Sequence, residues 1–345
     1  KDKLSLLPGQ LSRNENYLYM NTGGLEERGG GVKLTDPPTL STPLFGVGVY
    51  TNQNGIQYPI GIDNTRAHYY SNASAWTDLS VSLTANKKMR FSMGGVGSSR
   101  ALYGVNGTDA VLKVTSDTPT GSLLNTGAPD NCPDDAIDIV MHKGRMFAID
   151  AKDTLYFTDA LAFDTWNKGT NTIRVAPGID GENQALEIWG DSLFIFKENG
   201  VYVLPNADDS SPTTNWVILR ADAITGTLSP DTVKRTKQGI FYLATDNFVR
   251  KISPQISLSS GEYTLGGSGS PVQSLPIQDE IKLKISNTNK GDAIAEVFND
   301  LYILSYRTSA NSSQYNDKTF FSDMTKWLPP HTHLIICFLL VCNTK

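Results

Sequence analysis

The sequence predicts an all-β fold made of short antiparallel units repeated along the chain. Three observations carry this. First, one hairpin pattern recurs: an apolar run, a polar tip, then a second run with aromatics. It is clearest at Gly144–Asp150 with Thr154–Phe157, Asp191–Phe196 with Gly200–Val203, and Gln238–Leu243 with Asn247–Ile252. Fainter copies are Arg100–Val105 with Ala110–Val114 and Tyr58–Ile62 with Ala67–Tyr70, and a stretched copy pairs Asp300–Tyr306 with Lys318–Phe321. Second, the leading runs start near 59, 102, 146, 193, 240 and 301. Their intervals are roughly 43–47 residues and finally about 61, close to the 40–50 residue period of stacked supersecondary units. Third, no stretch of a dozen residues has a helical period, whereas β-branched and aromatic residues alternate with polar ones throughout.

Within one period the runs number up to four. The best unit reads Ile137–Met141, Arg145–Ile149, Thr154–Thr158 and Thr172–Val175; the next reads Ala185–Trp189, Leu193–Lys197, Gly200–Leu204 and Trp216–Arg220. Other apolar runs are Leu44–Tyr50, Ala136–Met141 and Ile294–Phe298. Four antiparallel strands per unit and five or six units per chain describe a β-propeller. The expected fold is therefore all-β, a propeller of about six four-stranded antiparallel blades, with the last one stretched and open to truncation at the C-terminus. A separate β domain is the alternative for that last unit, whose Ser/Asn-rich insertion Thr308–Asn316 reads as a surface loop. Blades bury both faces against their neighbours, so Trp189, Phe194, Phe196, Tyr202, Phe241 and Tyr242 are expected to pack between them. The expected organisation is an extended N-terminal arm with the start of propeller closure over 1–43, the propeller over 44–327 and an atypical tail over 328–345.

Composition narrows the function classes. A hydrophobic share of 39% supports a core, while a net charge of −5 lacks the basic footprint of a protein that wraps nucleic acid. Such a surface repels DNA, which suits a wall that DNA slides past. Cys132, Cys337 and Cys342 do not make a disulfide framework. The chain opens Lys-Asp-Lys, without an initiator Met or a signal peptide, and reads as a fragment starting slightly downstream of the true start. Leu334–Cys342 is apolar but too short for a helix that spans a bilayer. It is read either as a buried terminal strand or as a continuation that is not native.

Several motifs invite chemistry. The loop Thr158–Trp166 resembles the Asp-box loops of sialidase-like propellers, where Asp holds the turn and Trp packs between blades. Weaker echoes lie at Tyr70–Trp76 and Asp323–Trp327. A turn-and-packing role is expected here. A sialidase-type glycosidase needs an Arg cluster, a nucleophile with its base, and an acid. The arginines, among them Arg66, Arg145, Arg174, Arg220, Arg235 and Arg250, are scattered, and none has an acidic partner at a defined spacing. His331 and His333 with Cys337 and Cys342 match no common zinc spacing. His68 and His142 are isolated, and His142 is expected to face solvent beside Lys143-Gly144. Gly23-Gly24, Gly29–Gly31 and Gly266–Gly269 lack the context of a phosphate cradle. Asn72, Asn106 and Asn311 begin glycan-acceptor triplets, read as chance. Asp134-Asp135 and Asp208-Asp209 lack a calcium-loop pattern. No catalytic, cofactor-binding or metal-ligating residue is assigned.

Four runs together resemble the β-propeller tail proteins of short-tailed bacteriophages: the tail hub or packaged-DNA stabilisation proteins, and the tail tubular or nozzle proteins. They are the Gly-rich arm Asn21–Gly29, the unit Gly144–Asp159 ending near Trp166, the unit Ile188–Leu204, and the run Gly226–Ile252, where a Ser-Pro precedes a strand, a hairpin and a basic end. The resemblance covers about residues 15–327. The tail after Trp327 matches nothing in that group, and the platform-like domain of full-length nozzle proteins is not evident. The resemblance implies a virion structural protein without catalytic residues or cofactor. Copies would form a ring, a hexamer, around the DNA channel, join portal or adaptor to other tail proteins, retain packaged DNA and pass it at ejection without sequence-specific contacts. It would reside in the virion tail, and in the host cytoplasm during assembly. The alternatives are a carbohydrate- or receptor-binding propeller and, less favoured, a sialidase-like glycosidase.

Overall fold

The computed structural model describes residues 17–19, 25–27, 44–71, 76–207, 215–222, 225–252, 256–257, 264–265, 272, 281–282, 284–298, 301–311, 316, 318–322 and 331–332. A short ribbon comes first, β1 (Tyr17–Tyr19) paired with β2 (Leu25–Glu27). Six antiparallel meanders follow, each with strands adjacent in chain order. Blade 1 is β3 (Gly46–Thr51), β4 (Gln57–Ile62), β5 (Arg66–Tyr70) and β6 (Trp76–Ser82). Blade 2 is β7 (Arg90–Gly94), β8 (Ala101–Val105), β9 (Leu112–Thr115) and β10 (Thr120–Leu123). Blade 3 is β11 (Ala136–His142), β12 (Arg145–Asp150), β13 (Thr154–Phe157) and β14 (Thr172–Arg174). Blade 4 is β15 (Asn183–Trp189), β16 (Ser192–Lys197), β17 (Val201–Leu204) and β18 (Leu219–Asp222). Blade 5 is β19 (Lys234–Thr236), β20 (Gly239–Leu243) and β21 (Val249–Ile252). The bridge Arg250–Val272 takes its fourth-strand position. After the ribbon β22 (Ile256–Ser257) and β23 (Thr264–Leu265), blade 6 is β24 (Ile294–Phe298), β25 (Leu301–Tyr306), β26 (Lys318–Ser322) and β27 (His331–Thr332). The chain is a β-propeller of six blades.

The stretched unit is therefore the sixth blade, and its outermost strand lies four residues past the expected propeller end. The recurring hairpins are the second and third strands of each blade. They are the most buried part: every residue of β12, β13, β16 and β17 is buried, so the aromatic runs that mark the repeat are the ones sealed from water. One strand differs from expectation. Trp216 stands in the loop before β18, where it packs into the cluster between blades 3 and 4.

Local chemistry fixes the hairpins. Asp63 Oδ1 accepts the N–H groups of Thr65 and Arg66; Asn106 Oδ1 accepts those of Thr108 and Asp109; Asp150 Oδ1 accepts those of Lys152 and Thr154. These Asx turns close three successive blades at one position. Blade 4 carries Lys197 there instead. It is fully buried, and Nζ donates to the carbonyls of Val175 (3.0 Å) and Ala176 (3.2 Å). Burial lowers its pKa. The hairpin between β11 and β12 turns on Lys143 (φ 46°) and Gly144 (φ 75°), both left-handed as a tight primed turn demands.

Blade packing is carried by five hydrophobic clusters. They join blades 1 and 2 (Tyr50, Ile60, Leu102, Leu112), 2 and 3 (Tyr103, Val105, Met146, Trp166), 3 and 4 (Phe147, Phe157, Leu193, Ile195), 4 and 5 (Phe194, Phe196, Ile240, Tyr242), and 5 and 6 (Phe241, Leu243, Tyr302, Leu304). Among the described residues no sixth cluster joins blade 6 to blade 1. Phe194, Phe196, Tyr202, Phe241 and Tyr242 sit in these clusters, and half-buried Trp189 packs against the fourth, all as expected.

Candidate functional site

The innermost strands of all six blades surround a cavity of about 620 Å³ on the propeller axis. Its apolar lining includes Phe45, Val47, Met89, Phe91, Ile139 and Leu186. Gly46 and Gly48 let blade 2 approach closely, because a Cβ at those positions would stand 2.7 Å from the Met89 carbonyl oxygen and 2.9 Å from the Phe91 ring.

The innermost strands other than β3 carry charge at two levels: Arg90 and Asp138 at one, and Glu187, Lys234 and Glu296 two residues further along. In β11 the register shifts between Ala136 and Asp138. Such a bulge re-aims the following side chain. Asp138 then accepts from Arg90 (3.1 Å), from the Leu186 N–H (2.7 Å) and from the Ile139 N–H (2.9 Å), tying blades 2, 3 and 4. Arg90 also donates to Asp231 (2.7 Å), in the 3₁₀ turn Pro230–Thr232 that leads into blade 5. Lys234 reaches Glu296 (3.3 Å), joining blades 5 and 6. At one mouth Lys88 lies 3.5 Å from Asp231 and 3.7 Å from Asp292.

The electrostatics follow from burial and pairing. For Asp231 burial opposes ionisation, but Arg90, Lys88 and Lys234 outweigh it and hold its pKa below the ordinary value. Burial raises Asp138, with Arg90 and the two backbone donors pulling back. Burial works against Arg90 too, yet the two carboxylates raise its pKa, so it stays cationic. Glu187 is raised by burial, partly offset by the Ile188 N–H and by Arg235 and Lys234. Arg90 thus spans the axis as a charged strut, and the arrangement is suited to locking blades at fixed angles.

The other singled-out residues are dispersed. Trp166 is fully buried between blades 2 and 3; Asp159 accepts from the side chains of Asn167 (3.2 Å) and Asn171 (2.8 Å); and Asp164 accepts from Tyr103 (2.8 Å) and Lys113 (2.5 Å). That loop does turn and packing work, as expected. His142 does not face solvent: it is buried, and its Nε2 stands 3.1 Å from the Asp191 carbonyl oxygen. The side chain folds back over the tight turn to shelter beside Phe147. The scattered arginines also find acids that spacing did not reveal: Arg66 with Asp78, Arg174 with Asp153, Arg220 with Asp180, Arg250 with Asp246. Arg145 instead covers Trp216 at 5.6 Å and donates to the Thr158 carbonyl. His68 pairs with Asp63 at 3.1 Å inside blade 1. Asp63 is held low by the Thr65 and Arg66 N–H groups and His68, against the opposing effect of burial. Asn106 is buried with its amide engaged by Asp109, so it is no glycan acceptor in this fold. Asp134 pairs with Lys168, and Asp135 accepts from Tyr156. Among the described residues no group of three or more His, Cys, Asp or Glu is placed to hold a metal ion. Asp208-Asp209, His333, Cys337, Cys342 and the glycine-rich runs lie outside the described residues.

The charge ring was missed from sequence. Its signal was present: an acid at the third position of the apolar runs beginning Ala136, Ala185 and Ile294.

No family model and no curated protein matches this chain. Among solved structures, it is similar to a quinonprotein alcohol dehydrogenase-like protein from Bacteroides thetaiotaomicron, with TM-score 0.51 and 11% identity over 86% of this chain and 67% of that one. It is also similar to YCF48 from Cyanidioschyzon merolae, with TM-score 0.47 and 11% identity over 85% of this chain and 86% of that one. Identities this low speak to the fold alone.

Proposed function

We propose that this chain is a structural protein of a bacteriophage tail, a hub or nozzle component whose copies ring the DNA channel, retain packaged DNA and conduct it at ejection. The carrying observation is the run Gly226–Ile252, which resembles that group and falls on the entry turn and the three strands of blade 5. The runs Gly144–Asp159 and Ile188–Leu204 fall on blades 3 and 4. Charge and cavity size support the ring geometry. An axial cavity of about 620 Å³, crossed by Arg90, is of small-molecule size and excludes a duplex. DNA would therefore pass through the centre of a ring of copies, each contributing a rigid wall. A net charge of −5 keeps that wall from gripping phosphates.

The test is the mass of the native-length protein by light scattering, with negative-stain images of the same sample, alone and with a tail adaptor. Rings of defined stoichiometry support the reading. A strict monomer under both conditions overturns it. A carbohydrate- or receptor-binding propeller is the second reading. Half-buried Trp76, edge-on to Tyr70 at 5.5 Å, favours it, and selective binding on a glycan array is its expected result.

A further inference from the structure

Six blades closing a ring need six packed seams, and the five hydrophobic clusters supply five. The seam between blade 6 and blade 1 differs in its inner half. Strand alternation assigns its lining. On β3, Tyr50 and the two glycines turn to blade 2, which leaves Val47 and Val49 for the other side. On β24 and β25, Ala295, Tyr302 and Leu304 turn to blade 5, which leaves Ile294, Glu296, Phe298, Leu301, Ile303 and Ser305. Glu296 is held by Lys234 and Ser305 is buried; the apolar residues left over are half-buried except Phe298, which is 41% exposed. The equivalent rows in other blades, such as Phe147 and Ile149 or Leu193 and Ile195, are fully buried. Further out, Pro59 and His68 are buried, so the uncovered strip is confined to the inner strands. The axial cavity reaches it, with both Val47 and Ile294 in its lining.

We propose that the N-terminal arm, residues 1–43 of the same chain, covers this strip through the ribbon β1–β2. Two observations select that occupant. The arm joins the propeller at Leu44, which itself lines the cavity and is 41% exposed. The ribbon also needs a surface, because an isolated two-stranded hairpin is marginal in water. Its register sets Tyr19 opposite Leu25 and Tyr17 opposite Glu27, so alternation gives one face the positions Tyr17, Tyr19, Leu25 and, at its end, Glu27. Reach is ample. The segment between Glu27 and Leu44, at about 3.3 Å per residue, spans roughly 50 Å when extended, against about 10 Å between packed sheets.

The experiment places a short photo-cross-linker, benzophenone-4-maleimide, on Tyr19→Cys in a full-length chain carrying Cys337→Ser and Cys342→Ser; Cys132 is buried. The expected result is cross-linked peptides from residues 44–51 or 294–306 at monomer mass. Adding Ile303→Glu should cut that yield several-fold while circular dichroism and the melting transition hold, since Ile303 is already half-exposed. Cross-links to those peptides at dimer mass alone would assign the strip to a second copy and overturn the proposal. Cross-links elsewhere, or a yield unmoved by Ile303→Glu, would overturn it as well.

Discussion

The seam between blades 3 and 4 and the seam between blades 6 and 1 use the same kinds of residue and end in different states. In the first, Phe147 and Phe157 close on Trp216 at ring-centroid distances of 5.5 and 4.9 Å, and Arg145 caps the indole. In the second, Val47, Val49, Ile294 and Ile303 remain half in water. The difference is not one of hydrophobicity. The packed seam has a filler from outside the regular strands, the loop residue Trp216, whereas the inner strip of the other has none among the described residues. Regular strands set the blades side by side; an irregular residue finishes the joint.

That comparison can be broken at several points. The two largest effects are expected at the strut and in the packed seam. Arg90→Met leaves the buried Asp138 without its cation and half-buried Asp231 with only Lys88 beside it, and should cost about 3 kcal/mol in urea unfolding. A loss under about 1 kcal/mol would mean that the ring does not lock the blades. Phe147→Ala is expected to cost about 3–4 kcal/mol by emptying the packed seam. Phe298→Ala, on the open seam, should cost under about 1 kcal/mol. Equal losses for the two would show that the seams are alike.

A third expectation concerns acid. The folded pKa of Asp231 is lowered, so its contribution to stability is fully present above the unfolded carboxylate value of about 3.9 and is lost as pH falls through the folded value. Urea midpoints taken from about pH 6 to about pH 2 should fall at the acid end. Asp231→Asn should flatten that fall, and an unchanged profile would remove Asp231 from the acid response. The smallest effect is expected at the surface. Arg66 and Asp78 are both well exposed, and Arg66→Ala should change stability by less than about 1 kcal/mol.

Much of the fold was legible because the repeat is local. The leading runs expected near 59, 102, 146, 193, 240 and 301 are β4, β8, β12, β16, β20 and β25, which begin at Gln57, Ala101, Arg145, Ser192, Gly239 and Leu301. A buried hairpin writes its own pattern, since both strands and the turn lie within about 15 residues. The charge ring was not legible in this way. Asp138 and Asp231 meet Arg90 from 48 and 141 residues away, and no spacing rule connects them. His142 failed for a related reason. Its neighbours Lys143 and Gly144 form an exposed turn in sequence, while the carbonyl that stands beside it comes from Asp191 in the next blade.

The meander order of the blades has a consequence for synthesis on the ribosome. Each blade is finished before the next begins, so five seams can form one after another as the chain emerges. The Arg90–Asp231 contact cannot, because its partners are 141 residues apart. At 5–20 residues per second, Arg90 waits on the order of ten seconds for that carboxylate. During that interval Asp138 neutralises it and already ties blades 2, 3 and 4, but nothing yet spans from blade 2 to blade 5. The strut is in this sense a timer: the arc stays adjustable until blade 5 arrives, and then its radius is set.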